Sequence, residues 1–394
     1  MKFAINSDLA RTQMPPVMEA RRWIADKDFS DKPLINVSQA APVAPPPRAL
    51  RQVIADQVMT NPEAHLYGPV RGLESLRQKI AETWSRDYDA AVPTEAVSIT
   101  SGCNQAFCAA VSAVAQKGDA VILPTPWYFN HQMYLTMSGI EVIPLPCGAD
   151  MLPNLDTARN LITERVKAIV LVTPNNPTGA EYPRDLLGGF YDLAETNGLA
   201  LIVDETYRDF DSRTGTPHDL FKRPNWGHTL IQLYSFSKAF RLTGHRVGSL
   251  IAGSERQAEI EKYLDTQTIC PNQIGQIAAL WGMNNLSQWL AGQRAEILDR
   301  RAAIENAIQN LEGWVLKGAG AYFAYVSHPF SGRSDAVAKA LVDQAHVLML
   351  PGTMFAPLSN DPKGLAEGHL RIAFANVDQD SIVHLAERLS EFDL

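Results

Sequence analysis

The sequence has few cysteines and no long apolar run, and each absence excludes a class of protein. The four cysteines are scattered, without a C-x-x-C pair or a histidine-rich cluster: Cys103, Cys108, Cys147 and Cys270. This spacing predicts reduced thiols and argues against a disulfide framework or a zinc site. No apolar run reaches the roughly 18 residues that a membrane-spanning helix needs. We therefore expect no membrane span and no metal centre.

Positive charge is also scarce. The formal net charge is −8, which argues against a nucleic acid or an anionic membrane surface as the main partner. Small anionic ligands remain possible, because a local basic pocket can oppose the sign of the whole chain. Residues 1–10 contain no apolar core of the kind found in signal peptides. We therefore expect a cytoplasmic protein.

Seven short apolar runs dominate the middle of the chain, after a proline-rich connector at residues 41–47. They are Val97–Thr100, Ala120–Leu123, Glu141–Leu145, Lys167–Val172, Leu199–Val203, Thr229–Tyr234 and Val247–Ala252. Most are rich in Val, Ile and Leu with little alternation, which is typical of strands covered on both faces. Amphipathic helices separate several of the runs. The alternation predicts an α/β fold with a mostly parallel seven-stranded sheet covered by helices.

A second, smaller α/β region follows a helical stretch that runs from about Gln276 to Asn310. Its predicted elements are strands at Tyr322–Val326, Val347–Leu350 and His369–Phe374, a helix at Asp335–Gln344 and a final helix ending at Glu391. We expect the N-terminal piece to join this region, which makes the small domain discontinuous. The predicted units are an N-terminal arm with part of the small domain (1–47), a large ligand-binding domain (48–285) and a small C-terminal domain (286–394).

Lys238 gives the strongest chemical signal, because it lies just beyond a predicted buried strand that ends at Tyr234. A lysine by itself is most often a solvated surface cation. An amine that condenses with an aldehyde must be deprotonated, however, and a desolvated or electropositive pocket favours that form. Arg246 can supply this field and clamp a phosphate with paired donors. Together with the hydroxyls of Ser235 and Ser237, these residues suit a phosphorylated aldehyde.

Four further clusters follow predicted strands: Asp204–Tyr207, Thr173–Gly179, Thr100–Gln105 and Pro124–Phe129. Taken singly, each has an ordinary explanation as a helix cap, a Pro/Gly turn, a strand-to-helix turn or core aromatics. In open parallel sheets, ligands bind at the carboxyl edge of the strands. Because the clusters converge on that edge, we interpret them as one site.

The residue types in these clusters suit a pyridine ring that carries a phosphate. A buried carboxylate such as Asp204 keeps a pyridine nitrogen protonated. Gly102 allows a tight turn into a helix whose free N–H groups can bind phosphate. An aromatic side chain from Pro124–Phe129 can stack on the ring. An asparagine amide from Thr173–Gly179 can donate to a phenolic oxygen.

This ordered set of motifs, from about Arg11 to Arg371, resembles the class I/II aminotransferases, a family of fold-type-I enzymes that use pyridoxal 5′-phosphate (PLP). The resemblance implies a ping-pong transfer of an amino group from an L-amino acid to a 2-oxo acid. It implies that Lys238 forms the Schiff base and shuttles the proton, and that Asp204 pairs with the pyridine nitrogen. Asn176 and Tyr207 would contact the ring oxygen.

The remaining roles also follow from the resemblance. The phosphate ligands would be Gly102, Cys103, Asn104, Ser235 and Arg246. Tyr128 would stack on the ring, with Trp127 as the second choice. Arg371 would bind the substrate α-carboxylate, next to Asn176. Tyr67 matches the family tyrosine that reaches the phosphate in the neighbouring subunit, which implies a homodimer with shared active sites.

Two other functions share this fold. One is a PLP-dependent carbon–sulfur β-lyase or related elimination enzyme, which would release pyruvate and ammonia from cystathionine. The other is a PLP-sensing transcription regulator, which needs an N-terminal DNA-binding extension; we expect none, since the core begins within about 50 residues. Segment 38–41 also lacks a glycine that relatives often have near the substrate. Transamination is the favoured interpretation.

The sequence predicts an amino donor with an uncharged, fairly apolar side chain. Asn104 stands where one subgroup of the family has a lysine, and Asp265–Gln276 contains no arginine or lysine. The nearby Trp127, Phe129 and Tyr322 offer apolar or amphipathic surfaces. Two cations would reverse this expectation if they reached the substrate: Arg241, or Arg71 of the partner subunit.

Overall fold

The computed structural model describes residues 4–394 and confirms the predicted α/β fold. The strands are β1 (Ile35–Asn36), β2 (Val97–Thr100), β3 (Ala120–Thr125), β4 (Glu141–Pro146), β5 (Val166–Val172), β6 (Ala200–Asp204), β7 (Leu230–Ser235), β8 (Gly248–Ile251), β9 (Val315–Gly320), β10 (Phe323–Ser327), β11 (Val347–Leu348), β12 (Leu350–Pro351) and β13 (His369–Ala373). Residues 1–3 of the expected N-terminal arm lie outside the described residues.

The helices alternate with the strands in the first two thirds of the chain. They are α1 (Ser7–Ala10), α2 (Pro16–Arg22), α3 (Arg48–Thr60), α4 (Glu74–Asp87), α5 (Cys103–Ser112), α6 (Phe129–Met137), α7 (Leu155–Leu161), α8 (Arg184–Thr196), α9 (Phe236–Ala239), α10 (Ser254–Thr268), α11 (Gln273–Asn285), α12 (Ser287–Gln309), α13 (Ser334–Ala340) and α14 (Gln379–Ser390). Within residues 4–394, no helix has the length and apolar character that crossing a membrane requires.

The large sheet contains all seven predicted strands, in the order β2-β8-β7-β6-β5-β3-β4. Only β8 runs antiparallel to its neighbours. Helices α4, α8 and α11 pack on one face of the sheet, and α5 and α10 pack on the other. Burial on both faces explains why these strands read as continuous apolar runs. Because β2, β3, β5, β6 and β7 run in the same direction, their carboxyl ends lie at one edge of the sheet, beside the start of β8.

The smaller part is an antiparallel sheet in the order β12-β13-β10-β9. Buried side chains of α12, α13 and α14 form a core with it. Strand β1 pairs in parallel with β11, so the N-terminal segment joins the C-terminal region as the fold prediction required. The unit boundaries at 47/48 and 285/286 stay predictions.

Two details of the small region differ from the sequence prediction. Strand β9 was not predicted, because its Lys-Gly-Ala-Gly ending has low β propensity. The single strand expected at Val347–Leu350 is two short strands, since β11 pairs with β1 and β12 pairs with β13. In both cases, hydrogen bonds to a neighbouring strand determine which residues form the strand.

Candidate active site

A cavity of about 420 Å³ opens at the edge where the parallel strands end. Pro15 and Val17 border it from the N-terminal segment, and Arg371 borders it from β13. Most of the sequence-predicted site residues line it: Cys103, Asn104, Tyr128, Asn176, Asp204, Tyr207, Ser235, Lys238, Arg246 and Arg371. Gly102 lies directly beside the lining, and Tyr67 lies outside the cavity, on the surface of the chain. The edge of the sheet therefore brings residues from distant parts of the sequence together.

Lys238 reaches the cavity from the short helix that follows β7. The Ser235 hydroxyl caps this helix by accepting from the Ser237 N–H at 3.2 Å. The Lys238 Nζ donates to the carbonyl of Ala40. Burial, with a smaller contribution from the cations Arg371 and Arg246, lowers the pKa of Lys238 to about 8. A substantial fraction of this amine is consequently neutral near physiological pH, as a nucleophile requires.

Asp204 ends β6 as a buried carboxylate on the wall of the cavity. Its Oδ1 accepts from the Thr206 backbone N–H at 2.9 Å, and its Oδ2 lies 3.3 Å from His131 Nε2. Burial by itself raises the pKa of Asp204, but the contacts with His131 and Thr206 outweigh it and hold this pKa below its ordinary value. Asp204 is therefore a permanent negative charge at neutral pH.

His131 is a site residue that the sequence analysis missed. It is buried, and its ring stacks on Phe107 with centroids 3.9 Å apart. It also meets Tyr128 edge to face at 5.0 Å. No motif marks His131 in the sequence, because its partner Tyr128 is the extended N-cap of α6 and its other partners, Phe107 and Asp204, are distant in the chain.

The start of α5 and Arg246 form a cradle for an anion. Gly102 has φ +84°, and a Cβ there would lie 2.2 Å from Arg246 Nη2, so only glycine allows the guanidinium to approach. Arg246 donates to the Thr243 carbonyl at 3.0 Å and contacts Ser237 Oγ at 3.4 Å. Guanidinium, hydroxyl and helix N-terminal N–H groups together suit a phosphate.

Arg371 is a buried cation whose contacts are neutral. Its side chain donates to Asn176 Oδ1 at 2.9 Å and to the Ser38 carbonyl. The rings of Phe323 and Phe355 lie 5.1 and 4.9 Å from its Cζ. Burial lowers its pKa to about 10. A planar guanidinium in an apolar surround, without an ion pair among residues 4–394, suits a carboxylate ligand.

Aromatic side chains complete the walls. The Tyr128 hydroxyl accepts from Asn130 Nδ2 at 2.8 Å, and its ring borders the cavity. Trp127, the second choice for stacking, packs instead into the core around α5. Tyr207 is buried against the rings of Tyr322 and Phe323, with Lys238 Nζ 5.7 Å from its ring centroid.

The charge of the lining fits PLP together with an amino acid substrate. Three cations, Lys238, Arg246 and Arg371, face the cavity with one carboxylate, Asp204. A phosphate and an α-carboxylate supply the missing negative charge, and the carboxylate suits a protonated ring nitrogen. The charged side chains of the lining are therefore complementary to the charges of PLP and of an amino acid substrate.

Comparisons with known proteins agree with the geometry. The family model for aminotransferase class I and II matches residues 32–389. The aromatic aminotransferase ISS1 of Arabidopsis thaliana is 28% identical over 389 residues, which span 96% of this chain and 93% of that protein. An aspartate aminotransferase of Pyrococcus horikoshii is 25% identical over 331 residues, which span 82% of each protein.

The solved structure of Thermus thermophilus aspartate aminotransferase with maleate shares the fold. It superposes with a TM-score of 0.89 over 99% of this chain and 100% of that chain, at 22% identity. Because the family match spans nearly the whole sequence and the cavity fits the cofactor, the chain belongs to the class I and II aminotransferases and is a PLP-dependent transaminase.

Proposed function

We propose that this transaminase takes the amino group from an L-amino acid with an uncharged, fairly apolar side chain and passes it to a 2-oxo acid. The observation that carries this proposal is the charge of the lining. Among residues 4–394, its four charged residues are Asp204, Lys238, Arg246 and Arg371. Each would bind the cofactor or the α-carboxylate in this proposal. No lining cation within residues 4–394 is left for a second carboxylate.

In this proposal, four side chains act at the reacting atoms. PLP, when bound, supplies the electron sink for the substrate. Lys238 holds the cofactor and, once its amine is free, moves the proton at the substrate Cα. Asp204 holds the proton on the pyridine nitrogen. Tyr207 and the Nδ2 of Asn176 donate to the ring oxygen, since Asn176 Oδ1 is engaged by Arg371.

The remaining residues bind and orient. Arg371 would hold the substrate α-carboxylate with paired donors. Tyr128 would stack on the ring, held by Asn130. The phosphate would lie in the cradle of Gly102, Cys103, Asn104, Ser235 and Arg246. Asn175 has a different task, because its Oδ1 accepts from the Thr178 N–H at 3.1 Å and fixes the turn that presents Asn176.

The surroundings of the cavity also favour an uncharged donor. Its lining also includes Pro15, Val17 and Phe129, and the residue beside the proposed phosphate cradle, Asn104, is neutral. Arg241, one of two cations that would have reversed this expectation, does not line the cavity and donates to Gln293 while stacking on Trp289. One relative named above is an aromatic aminotransferase, and an aromatic side chain fits this lining better than the carboxylate of aspartate does.

We further propose a homodimer with Tyr67 contributed across the interface. The Tyr67 side chain is 79% exposed, although its phenol is largely apolar. Met59, Leu66 and Ile269 are also exposed, and segments 63–68 and 270–273 contact each other through the Gln273 amide. A group of exposed apolar side chains is typical of a subunit interface.

Lys238 should be the residue that carries PLP. Borohydride reduction followed by peptide mapping should find the cofactor on Lys238, and Lys238→Ala should lose covalent attachment. Cofactor-free protein should capture PLP faster as the pH rises through about 8, since the pKa of Lys238 is lowered to about 8 and only the neutral amine attacks. Lys222→Ala, at an exposed ion pair, serves as the control. A label on another lysine contradicts the assignment.

Asp204→Asn should retain PLP and lose most of its turnover. The substitution removes the charge that keeps the ring nitrogen protonated, while the phosphate contacts remain. We expect a loss of about 2–4 kcal/mol in transition-state stabilisation, or roughly 30- to 1,000-fold in kcat. Asp211→Asn, outside the cavity and paired with Arg213, controls for loss of a carboxylate. A kcat near the wild-type value for Asp204→Asn would refute this role.

The donor preference should appear in kcat/KM measured for alanine, methionine, phenylalanine, glutamate and aspartate, with pyruvate or 2-oxoglutarate as acceptor. Uncharged donors should lead, because a side-chain carboxylate would be desolvated without a cationic partner. Asn104→Lys should raise kcat/KM for aspartate relative to phenylalanine. The proposal is wrong if aspartate leads the wild-type panel by about tenfold or more.

Shared sites can be tested by mixing inactive subunits. A hybrid of Tyr67→Phe and Lys238→Ala subunits should contain one intact site, since the two residues would come from different chains. A hybrid of Asp204→Asn and Lys238→Ala should contain none, because both residues lie in the same chain's cavity. Equal activity from the two hybrids would show that Tyr67 acts within its own subunit. Full activity of the Tyr67→Phe homodimer by itself would show that Tyr67 has no role in the site.

A further inference from the structure

Glu205 is a buried carboxylate that the mechanism above does not use. It directly follows Asp204 but faces the opposite side of the strand end, with only 2% of its surface exposed. It borders a separate cavity with Arg208, not the active-site cavity. Burying an ionised carboxylate is costly unless several partners compensate it. Packing by itself therefore does not explain why a carboxylate is buried at this position.

One oxygen of the Glu205 carboxylate, Oε2, has three polar neighbours. Its Oε2 accepts from the Tyr88 hydroxyl at 2.7 Å and from Gln232 Nε2 at 3.0 Å, and it lies 3.4 Å from His218 Nε2. Burial raises its pKa, but the interactions with His218, Arg208 and Tyr88 outweigh burial and lower the pKa below its ordinary value. The negative charge is therefore constant across the neutral range.

These partners belong to different elements of the fold. Tyr88 is the C-terminal cap of α4, and Gln232 lies in β7 opposite Val203 of β6. The Glu205 backbone N–H also donates to the Leu233 carbonyl of β7 at 2.9 Å. One side chain thus ties the end of β6 to α4 and to β7, the strand that leads to Lys238.

On the active-site side, Asp204 is held more sparsely. Its Oδ1 has one backbone donor, the Thr206 N–H at 2.9 Å, and its Oδ2 has the contact with His131. The Thr206 donor belongs to the same turn as Glu205, only one residue away. Movement of that turn would displace the donor and the carboxylate together, relative to Lys238.

We propose that Glu205 is a positioning residue for the reaction: from behind the sheet, it fixes the turn that aims Asp204 and sets the separation between Asp204 and Lys238. This inference rests on the proposed role of Asp204 at the pyridine nitrogen. Glu205 itself touches neither the cofactor site nor the substrate site, since it is absent from the cavity lining.

Two variants separate charge from hydrogen bonding. Glu205→Gln keeps the shape and removes the charge, whereas Tyr88→Phe keeps the charge and removes one hydrogen bond. Glu181→Gln is the matched control: Glu181 is also a shielded carboxylate, bonded to Ser212 and near Arg301, and it lies outside the active-site cavity. A purely structural role predicts that all three variants affect stability alone.

The test measures kcat and KM of the PLP-loaded enzymes and the pH midpoint at which the visible absorbance of bound PLP changes. We expect Glu205→Gln and Tyr88→Phe to lower kcat by about 5- to 30-fold, as loss of a charge-assisted hydrogen bond implies, with KM within about twofold. Their pH midpoints should move by at least about half a unit, in the same direction as in Asp204→Asn. Glu181→Gln should leave kcat and midpoint unchanged.

The outcomes distinguish failure of the Glu205 positioning role from failure of the proposed role of Asp204 at the pyridine nitrogen. If Asp204→Asn moves the midpoint while Glu205→Gln and Tyr88→Phe match Glu181→Gln, the positioning role is overturned and the role of Asp204 stands. If Asp204→Asn itself changes neither midpoint nor kcat, the proposed role of Asp204 fails, and the positioning role fails with it. Should Glu205→Gln not fold, Tyr88→Phe decides, because it retains the buried charge.

Discussion

Lys238, Arg246 and Arg371 converge on one cavity, where Asp204 is the only carboxylate that residues 4–394 contribute. Arg371 is buried, Lys238 is partly buried and Arg246 is exposed. A charge taken out of water costs several kcal/mol unless it is compensated, and like charges add mutual repulsion. Burial lowers the pKa of both Lys238 and Arg371, and the neighbouring cations Arg371 and Arg246 lower the pKa of Lys238 further. Anionic ligands neutralise the excess positive charge of the cavity. Binding of PLP and of a substrate carboxylate should therefore stabilise the folded chain.

The four charged residues of the cavity can lie close together because they belong to separate elements of the fold. The parallel strands deliver Asp204 and Lys238 to one edge at adjacent positions of the sheet, β6 and β7. Arg371 comes from the antiparallel sheet of the smaller part and contacts Ser38 of the N-terminal segment and Asn176 of the large sheet. Arg371 therefore joins three regions of the chain.

The large sheet and several residues of its cavity could be predicted from the sequence, because the pattern that indicates them lies within short segments of the chain. The strands of the large sheet are buried on both faces, so each appears as an apolar run, and the polar residues that follow a run must lie at the sheet edge. Asp204 and Lys238 were placed at this edge in this way, and Arg371 was added through the family resemblance; all three line the cavity, and their roles stay predictions. None of these inferences required knowledge of which strands are neighbours.

The remainder depends on contacts between distant residues. Strand β9 and the division of Val347–Leu350 are determined by pairing partners, which local propensity does not encode. His131 and Glu205 carry no distinctive motif, and their contacts with Asp204 and with Tyr88 appear only in the folded chain. The surroundings of the Asp204 carboxylate, unlike its place at the strand end, follow from tertiary structure.

The most direct test of the account is a half-reaction with an uncharged amino donor and no acceptor. Transamination predicts that each active site releases one equivalent of the 2-oxo acid, without ammonia, while bound PLP converts to the amine form and the reaction stops. A β-lyase would instead turn over repeatedly on cystathionine in the absence of a 2-oxo acid. Continuous release of pyruvate and ammonia under these conditions would contradict the assignment as a transaminase.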